Sequence, residues 1–238
     1  VGKSVSKKSS ENIIISKLMT MVITTFNRHH YLKRAIDYYG EAPFSILVVD
    51  STDKEYRAHL PSNFRYIHTK LGFPEKLFEA MGMIKTKYFM LCGDDDFVSF
   101  SGVGHCLRFL EKNVAYVAAQ GRSIAFKNRR GSIKKSPLSH YARNLDVDSS
   151  GVEDRIVRYM NSYVPFIYAV MRTSAVRGIF DALRHCGIRE ANLIEMGVAL
   201  GLVIRGKIKM LSVFHSARGK IAFSSGKTYK SILDISTD

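Results

Sequence analysis

Short apolar runs recur along the first part of the chain, separated by segments whose apolar positions have helical spacing. Leu18 to Phe26, Phe44 to Val49 and Tyr88 to Cys92 are almost uninterrupted apolar runs, rich in β-branched and aromatic residues. Runs of this length predict strands that are buried on both faces of a sheet. Phe64 to His68 predicts one more strand.

Helices are predicted between these strands. His29 to Tyr39 carries apolar residues at helical spacing and is followed by Gly40, a typical helix end. Pro74 to Ile84 shows the same spacing and begins with proline, which is favoured at the first helical position. The segment that ends at Leu60 is compatible with a further short helix.

The second part of the chain continues the alternation. Tyr163 to Met171 predicts a strand, and Ser174 to Leu183 predicts a helix. Glu190 to Ile204 predicts another helix, which Gly206 ends before a last strand from Lys207 to Phe214. Strands that alternate with helices indicate an α/β fold. We expect a mostly parallel sheet with helices on both faces and right-handed crossovers.

Length and composition are those of a soluble globular protein. The chain has 238 residues, of which 46% are hydrophobic and 24% are charged. No stretch is apolar for long enough to predict a transmembrane helix, and the Ser- and Lys-rich residues 1–17 do not resemble a signal peptide. We expect one domain over residues 18–215, preceded by this basic, flexible segment and followed by a flap or tail over residues 216–238.

The cysteine content and the net charge limit the cellular compartment and the kinds of binding partner that we expect. Cys92, Cys106 and Cys186 are odd in number and lack zinc-site spacing, which indicates a reducing compartment and therefore a cytoplasmic protein. The net charge of +15 favours partners that carry phosphate or other negative charge: nucleic acid, anionic lipid, a nucleotide or a charged glycan. The most basic stretch, Lys127 to Arg143, is compatible with either a binding loop or a solvated surface loop.

Three consecutive aspartates follow the strand predicted at Tyr88 to Cys92. Asp94, Asp95 and Asp96 raise one another's pKa when they are held together, so a cation is expected between them. In an extended chain Asp94 and Asp96 point the same way and could hold one cation, although a turn that starts at Gly93 would break this alternation. Asp95 with Asp96 is the alternative pair. Carboxylates without Cys or His neighbours suit Mg²⁺ or Mn²⁺. The alternative is a charged turn that caps the next helix.

Polar residues follow three of the predicted strands, at what would be one edge of the sheet. They are Thr24 to Arg28, Asp50 to Asp53 and Gly93 to Asp96. Ligands of such sheets bind beyond the carboxyl ends of the strands. No Gly-x-Gly-x-x-Gly and no P-loop sequence follows the first strand, which excludes a Rossmann cradle and a P-loop. A nucleotide whose diphosphate is held by a metal fits the remaining pattern.

These segments resemble, in order and spacing, the GT-A glycosyltransferases of the large family-two type. The matching sequences are MVITTFNR at residues 21–28, LVVDSTD at 47–53 and FMLCGDDDF at 89–97. The resemblance covers residues 18–100, which would form the nucleotide-binding half, and continues more weakly over 101–215, which would form the acceptor half.

The resemblance implies roles for individual residues. Nucleotide binding would fall to Thr24, Phe26, Asn27, Arg28, Asp50, Asp53, Asp94 and Asp95, with Asp50 and Asp53 contacting base and ribose. Asp94 and Asp96 would hold the metal on the donor diphosphate. Lys76 and Glu79 would either border the pocket or lie on a solvated helix face. The family usually has a second aspartate after the first in the Val-Asp motif, and Ser51 stands there in this chain.

The resemblance also implies a base and further ligands in the second half. In an inverting transfer, a carboxylate takes the proton of the attacking hydroxyl. Glu195, counted back from Gly206, is the expected base, with Glu190 as the alternative. His215 would be a further metal ligand, and Arg218 and Lys220 would hold the phosphates. The adjacent His29 and His30 are expected on the surface.

The function expected from the resemblance is metal-dependent, inverting sugar transfer. A nucleoside diphosphate sugar would be the donor, and a glycan, a lipid-linked intermediate or a protein the acceptor. Peripheral contact with an anionic membrane is compatible with the charge, whereas a nucleic-acid partner is not expected because no aromatic-plus-glycine signature appears. The alternatives are a sugar-phosphate nucleotidyltransferase of related fold and a non-catalytic basic module that binds anionic polymers.

Overall fold

The computed structural model describes residues 18–129, 132–136 and 145–219, with side chains except at 127–129 and 132–136. The predicted basic segment 1–17 lies outside the described residues. The same holds for part of the basic stretch 127–143 and for residues 220–238 of the predicted tail. No helix in the described ranges is long and apolar enough to cross a membrane.

The described strands form one mixed sheet. In chain order they are β1 (Met19–Thr25), β2 (Ser45–Asp50), β3 (Phe64–His68), β4 (Tyr88–Gly93), β5 (Phe97–Val98), β6 (Tyr116–Arg129), β7 (Ser132–Ser136), β8 (Val170–Arg172) and β9 (Lys207–Gly219). The spatial order is β3-β2-β1-β4-β8-β6-β9-β5, with β7 paired to β6. The first four strands are parallel, whereas β8 runs antiparallel to both of its neighbours.

Helices cover both faces of this sheet, as the sequence predicts. They are α1 (His29–Tyr39), α2 (Phe73–Met83), α3 (Phe100–Lys112), α4 (Val152–Met160), α5 (Thr173–His185) and α6 (Ala191–Arg205). One core contains α1 and α3 packed on residues such as Met21 and Ile23 of β1. The other contains α2, α4, α5 and α6 packed on alternate strand residues such as Val22 and Leu91. The expected α/β class is confirmed.

The strand order creates a switch point between β1 and β4. The chain passes from β1 outward to β2 and β3 and then returns to place β4 on the other side of β1. Crevices at such a point, beyond the carboxyl ends of the strands, are where open α/β sheets bind ligands. Thr24 pairs with Gly93, and Thr25 pairs with Asp50, so the polar residues after these strands share one edge.

Two predicted elements differ from the structure. The segment that ends at Leu60 is not helical. The strand predicted from Tyr163 to Met171 is reduced to β8, and the residues before it form an irregular segment that buries Val164 and Phe166 completely. Pro165 explains the difference in part, because proline lacks the N–H that a ladder of strands requires.

Candidate active site

The three aspartates form a turn between β4 and β5. The N–H of Asp96 donates to the carbonyl of Gly93 at 3.3 Å, and all three aspartates are buried. Their side chains therefore do not alternate as in an extended strand, and the argument that pairs Asp94 with Asp96 does not apply. The structure corresponds to the second alternative, a turn that starts at Gly93.

Asp94 points toward β1 and α1. The Thr25 hydroxyl donates to Asp94 Oδ2 at 2.6 Å, and the Arg28 guanidinium forms an ion pair with Asp94 Oδ1. Burial raises the pKa of Asp94, and the charge of Arg28 and both hydrogen bonds offset part of that rise. Asp94 thus has protein partners for both of its oxygens.

Asp95 and Asp96 share a small space beside Gly93. A Cβ atom at position 93 would lie 2.9 Å from Asp95 Oδ1, 3.1 Å from the Tyr168 hydroxyl and 3.5 Å from Asp96 Oδ2. Glycine is therefore the residue that leaves these two carboxylates room to converge. We call this space the Gly93 cradle. Burial raises the pKa of Asp95 to about 6, and the neighbouring charges of Asp96 and Asp94 add to the rise while Arg28 opposes it.

Asp96 is also held from the other side. Its Oδ1 accepts from the Gly219 N–H at 2.7 Å, and its Oδ2 accepts from the Tyr168 hydroxyl and from Arg218 Nε at 3.3 Å. The Arg218 guanidinium lies 4.4 Å from the centroid of the Tyr168 ring. The end of β9 is thereby fixed on the acidic turn.

The cradle fits a cation that is held by few protein ligands. Among the side chains that the structure describes, no group of three or more His, Cys, Asp or Glu residues could hold a metal ion. Two carboxylates converge at Gly93, and Arg28 approaches Asp95 Oδ1 only to 3.8 Å. Mg²⁺ is commonly bound by one or two carboxylates together with substrate phosphates. Asp95 with Asp96 is therefore the candidate pair, and a cation bound there would have to replace one of the present partners of Asp96, which are Tyr168, Arg218 and Gly219.

His215 does not join this pair. Its side chain is completely buried, with Nε2 at 2.8 Å from the Tyr168 carbonyl and Nδ1 at 3.8 Å from Cys106 Sγ. Burial lowers the pKa of His215 to about 4, so the ring is neutral and Nε2 donates to the carbonyl. This arrangement gives His215 a structural role and leaves no nitrogen directed at a metal beside Asp96.

Asp50 is the centre of a second network at the same edge. Its buried carboxylate accepts hydrogen bonds from the Thr52 N–H at 2.8 Å, the Tyr66 hydroxyl at 2.8 Å and His29 Nε2 at 2.7 Å. Burial alone would raise the pKa of Asp50, but the three hydrogen bonds together lower it. Both oxygens are occupied, so the expected direct contact of Asp50 with a base would require one partner to leave.

The other residues expected around the nucleotide lie at the same edge. Thr24 is half-buried, whereas Phe26 is 56% exposed and Asp53 is also exposed. Asn27 has a positive φ of 54°, a conformation that asparagine tolerates better than most residues, and its N–H donates to Thr52 Oγ1 at 2.8 Å. This contact ties the loop after β1 to the loop after β2.

Lys76 is not on a solvated helix face. Its side chain is buried, and Nζ donates to the Thr25 carbonyl at 2.8 Å. Burial lowers the pKa of Lys76 to about 8, although the nearby charges of Asp50 and Asp94 favour the charged form. The ammonium group therefore compensates both carboxylates from below the end of β1. Glu79 is exposed, as expected for the alternative role.

The two candidate bases lie at the start of α6. Glu190 is the N-cap: its carboxylate accepts from the Leu193 N–H at 2.7 Å and from Asn192 Nδ2 at 3.1 Å. Glu195 is half-buried and accepts from the Tyr163 hydroxyl at 3.2 Å. Burial raises the pKa of Glu195, while the Tyr163 hydrogen bond lowers it. Capping occupies Glu190, which leaves Glu195 as the better candidate.

An ion pair indicates that the start of α6 lies near the carboxyl edge of the sheet. Arg189 Nε is 3.6 Å from Glu75 Oε1 in the first turn of α2. Because α2 follows β3 directly, its first turn lies at the carboxyl ends of the parallel strands. The candidate base therefore belongs to an element that begins at the same edge as the aspartate turn.

Several residues of the site were not predicted from the sequence. Thr25, rather than Thr24, bonds to Asp94, and His29 is bound to Asp50 instead of lying free on the surface. Tyr66 and Tyr168 supply hydroxyls to Asp50 and Asp96. The sequence could have indicated Thr25 as a site residue, since it ends a strand beside the two acidic segments. The contacts of Tyr168 could not be predicted, because they depend on the irregular segment before β8.

Comparisons with known proteins bear on the family and the fold of this chain. The family model described as "Glycosyl transferase family 2" matches residues 20–180. No sequence among the curated proteins matches significantly. S. aureus TarS 1–349 in complex with UDP-GlcNAc superimposes with a TM-score of 0.64 at 13% identity, covering 90% of this chain and 62% of that one. TarS 1–349 alone gives 0.61 at 13% identity, with 85% and 60% covered.

The structural likeness concerns the fold, and this chain is shorter than the proteins it resembles. Against the longer S. aureus TarS chain, the TM-score is 0.59 at 14% identity, and the match covers 85% of this chain but 37% of TarS. The family assignment rests on the family model, whose matched residues make up more than half of the chain and include β1, β2, the aspartate turn and Tyr168. The chain therefore belongs to glycosyltransferase family 2.

Proposed function

We propose that this protein transfers a sugar from a nucleoside diphosphate donor to an acceptor hydroxyl, with inversion and with the help of Mn²⁺ or Mg²⁺. The observation that carries the proposal is the convergence of Asp95 and Asp96 beside Gly93, at the switch point between β1 and β4. A crevice that combines buried carboxylates with Arg28 and Arg218 suits an anionic ligand bound together with a cation.

The donor is proposed to lie along the carboxyl edge, with its diphosphate at the cradle and its nucleoside toward β2. TarS, whose fold this chain shares, has been crystallised with UDP-GlcNAc, which supports a nucleotide sugar as the class of donor. Arg28 and Arg218 form ion pairs with Asp94 and Asp96 and are proposed to contact the phosphates. Phe26, Asn27 and Asp53 would contact base and ribose.

Asp95 and Asp96 are proposed to hold the metal, which when bound offsets charge on the departing diphosphate. Two observations support this role: an oxygen of each carboxylate lies within 3.5 Å of the place that a Cβ at Gly93 would take, and burial together with the Asp96 charge raises the pKa of Asp95. Asp94 would contribute indirectly, since its contacts with Arg28 and Thr25 fix the turn.

Glu195 is proposed as the general base. It would accept the proton of the acceptor hydroxyl as the oxygen of that hydroxyl attacks the anomeric carbon and the bond from that carbon to the diphosphate breaks. Burial suits a base that must operate near neutral pH, because it raises the pKa of Glu195, and the Tyr163 hydroxyl orients the carboxylate.

The acceptor is proposed to be a glycan, a lipid-linked intermediate or a protein, met in the cytoplasm or at an anionic membrane surface. The net charge of +15 supports an acceptor or a surface that carries negative charge.

A thermal-shift series tests the proposal. Uridine, guanosine, cytidine and adenosine diphosphates are added one at a time, with Mn²⁺ and with EDTA, to the wild-type protein and to Asp96→Ala. We expect a rise in Tm for at least one nucleotide that requires Mn²⁺ and is absent in Asp96→Ala. A rise of equal size with EDTA would refute the metal role, and no rise with any nucleotide would refute the donor class.

A further inference from the structure

The contacts of Asp50 leave it unable to present its carboxylate to a ligand in this arrangement. The side chain is completely buried, and its two oxygens accept from Thr52, Tyr66 and His29. Ser51, whose side chain is short and uncharged, follows it. A polar group that recognises the base must therefore come from another residue at this part of the edge.

His29 is a polar residue at this edge that Asp50 itself holds in place. It is the first residue of α1, directly after Arg28, and its side chain remains 29% exposed while its Nε2 lies 2.7 Å from Asp50 Oδ2. The ring is steadied by an edge-to-face contact with Tyr56, with centroids 5.3 Å apart. Asp50 and Tyr56 together fix both the position and the tilt of the imidazole.

The distance along the edge suits a nucleoside. Neighbouring strands lie about 4.8 Å apart, so the carboxyl ends of β4 and β2 are separated by about 10 Å. A donor with its diphosphate at the Gly93 cradle has its base near the end of β2 if it follows this edge. On the side of the cradle away from β2, Tyr168, Arg218 and Gly219 pack against Asp96 and occupy the space.

In the neutral form of His29, the Asp50 carboxylate fixes which ring nitrogen carries the proton. An ionised carboxylate only accepts hydrogen bonds, so Nε2 must donate to it. In neutral histidine the other nitrogen, Nδ1, is then an acceptor. The lowered pKa of Asp50 is consistent with a carboxylate that stays ionised.

We infer that His29, held by Asp50, is a specificity-determining residue that reads the base of the donor and selects bases with an imino N–H over bases without one. Uracil and guanine carry such a donor on their pairing edge, whereas cytosine and adenine present a lone pair there, which would face the lone pair of Nδ1. This inference rests on the proposed function, because it concerns the nucleotide of the same site. Asp50 is the positioning residue of the pair.

The test compares base preference rather than affinity alone. Binding of the uridine, guanosine, cytidine and adenosine diphosphates, each with Mn²⁺, is measured by calorimetry for the wild-type protein, His29→Ala, Asp50→Asn and the control His30→Ala. His30 is the exposed neighbour of His29 and has no contact with Asp50. The uridine and guanosine arms distinguish the two sources of an imino N–H.

We expect the wild-type protein and His30→Ala to bind at least one imino nucleotide about tenfold or more tightly than the cytidine and adenosine nucleotides. In His29→Ala this ratio should fall close to one in a protein that remains folded, although its Tm is lowered by the loss of a hydrogen bond to the buried Asp50 carboxylate. Asp50→Asn should lower the ratio as well, because an amide no longer dictates the tautomer. His29→Ala alone decides the matter if Asp50→Asn does not fold.

Two results would overturn the inference while leaving the proposed function intact. One is a wild-type protein that prefers the cytidine or adenosine nucleotide; the other is His29→Ala that keeps the wild-type ratio. A wild-type protein that binds none of the four nucleotides would overturn the proposed function and this inference together.

Discussion

Thr25 and Asp94 are 69 positions apart in the sequence, yet the hydroxyl of the first donates to the carboxylate of the second at 2.6 Å. The contact follows from the parallel pairing of β1 and β4, in which Thr24 lies opposite Gly93. It joins the ends of the two strands between which the sheet reverses its order. The aspartate turn is therefore fixed to the loop that carries Asn27 and Arg28.

Gly93→Ala should weaken the response to metal while leaving the protein folded. The added Cβ would lie 2.9 Å from Asp95 Oδ1, the far end of a side chain that can move aside, so the carboxylate should leave the cradle. We expect the Mn²⁺-dependent Tm shift with nucleotide to be strongly reduced, as measured by differential scanning fluorimetry.

The matched control for this variant is Gly82→Ala. Gly82 lies in α2, and a Cβ there meets no atom within 4 Å. It should raise stability by about 0.5–1 kcal/mol through helix propensity and keep the full metal response. Equal metal responses in Gly93→Ala and Gly82→Ala would contradict the assignment of the cradle.

Asp95→Asn should stabilise the protein without ligand at neutral and alkaline pH. The pKa of Asp95 is raised from 3.8 to about 6 by burial, so the stability that the protonated acid contributes is lost as the pH rises through about 6. Asparagine cannot ionise, and we expect a gain of about 1–3 kcal/mol at pH 8 that disappears near pH 4.

Urea denaturation across this pH range measures the gain. Added Mn²⁺ should reverse the order, because it stabilises the wild-type protein and not Asp95→Asn. A gain in Asp95→Asn that is independent of pH would show that the Asp95 carboxylate is already neutral or compensated.

Tyr163→Phe should move the acid limb of the pH–rate profile to higher pH. The Tyr163 hydroxyl donates to Glu195 and lowers its pKa, so removing the hydroxyl leaves the effect of burial unopposed and raises that pKa further. Because a base acts only when ionised, kcat should fall at acidic pH and recover at alkaline pH.

Two further variants serve as controls for this measurement. Glu195→Gln should abolish transfer at every pH while binding the donor as before. Tyr116→Phe, a change of the same kind at the first residue of β6, should leave the profile unchanged. An acid limb that stays in place in Tyr163→Phe would separate Glu195 from the proton transfer.

Arg155→Met should destabilise the fold far more than the same loss of charge at an exposed arginine. Arg155 is buried and donates to the carbonyls of Val203 and Ile204 at the end of α6, and to those of Ser149 and Ser150. Losing these bonds should cost about 2–4 kcal/mol in urea denaturation. Arg158→Met, an exposed neighbour with the same change in charge, should cost less than about 0.5 kcal/mol.

Partly buried arginines also limit what the net charge of the chain indicates about its partners. Arg172 donates to the carbonyls of Leu110 and Asn113 at the end of α3, and Arg177 donates to those of Met81 and Ile84 at the end of α2. Part of the +15 charge therefore completes helix ends inside the molecule. The prediction of anionic partners used the net charge alone. The sequence does not show which arginines bind helix ends, because these contacts depend on tertiary packing.

Local sequence patterns were sufficient to predict the positions of the first four strands and of the helices between them. β1 extends from Met19 to Thr25 where Leu18 to Phe26 was predicted, and α1 has the predicted bounds. Apolar runs identify buried segments reliably, but Tyr163 to Tyr168 is a buried segment that is not a strand. Its hydrophobicity predicts burial, and Pro165 is the residue that should have argued against a ladder.

The position of the site followed from the strand ends, whereas the partners of its carboxylates did not. Arg218 reaches Asp96 from 122 positions away, and no spacing in the sequence predicts that contact. His29 was expected on the surface, but Asp50 at the end of β2 binds its Nε2 at 2.7 Å, a contact that no spacing in the sequence predicts.

The attachment of Gly219 to Asp96 has a consequence for the newly made protein. These residues are 123 positions apart, so the acidic turn receives its last N–H only after nearly all of the described chain has been synthesised. A nascent chain that has emerged through β4 carries three adjacent carboxylates without Tyr168, Arg218 or Gly219. Because the chain is synthesised from its N-terminus, the aspartate turn with all of these contacts is expected to be among the last of the described parts to form.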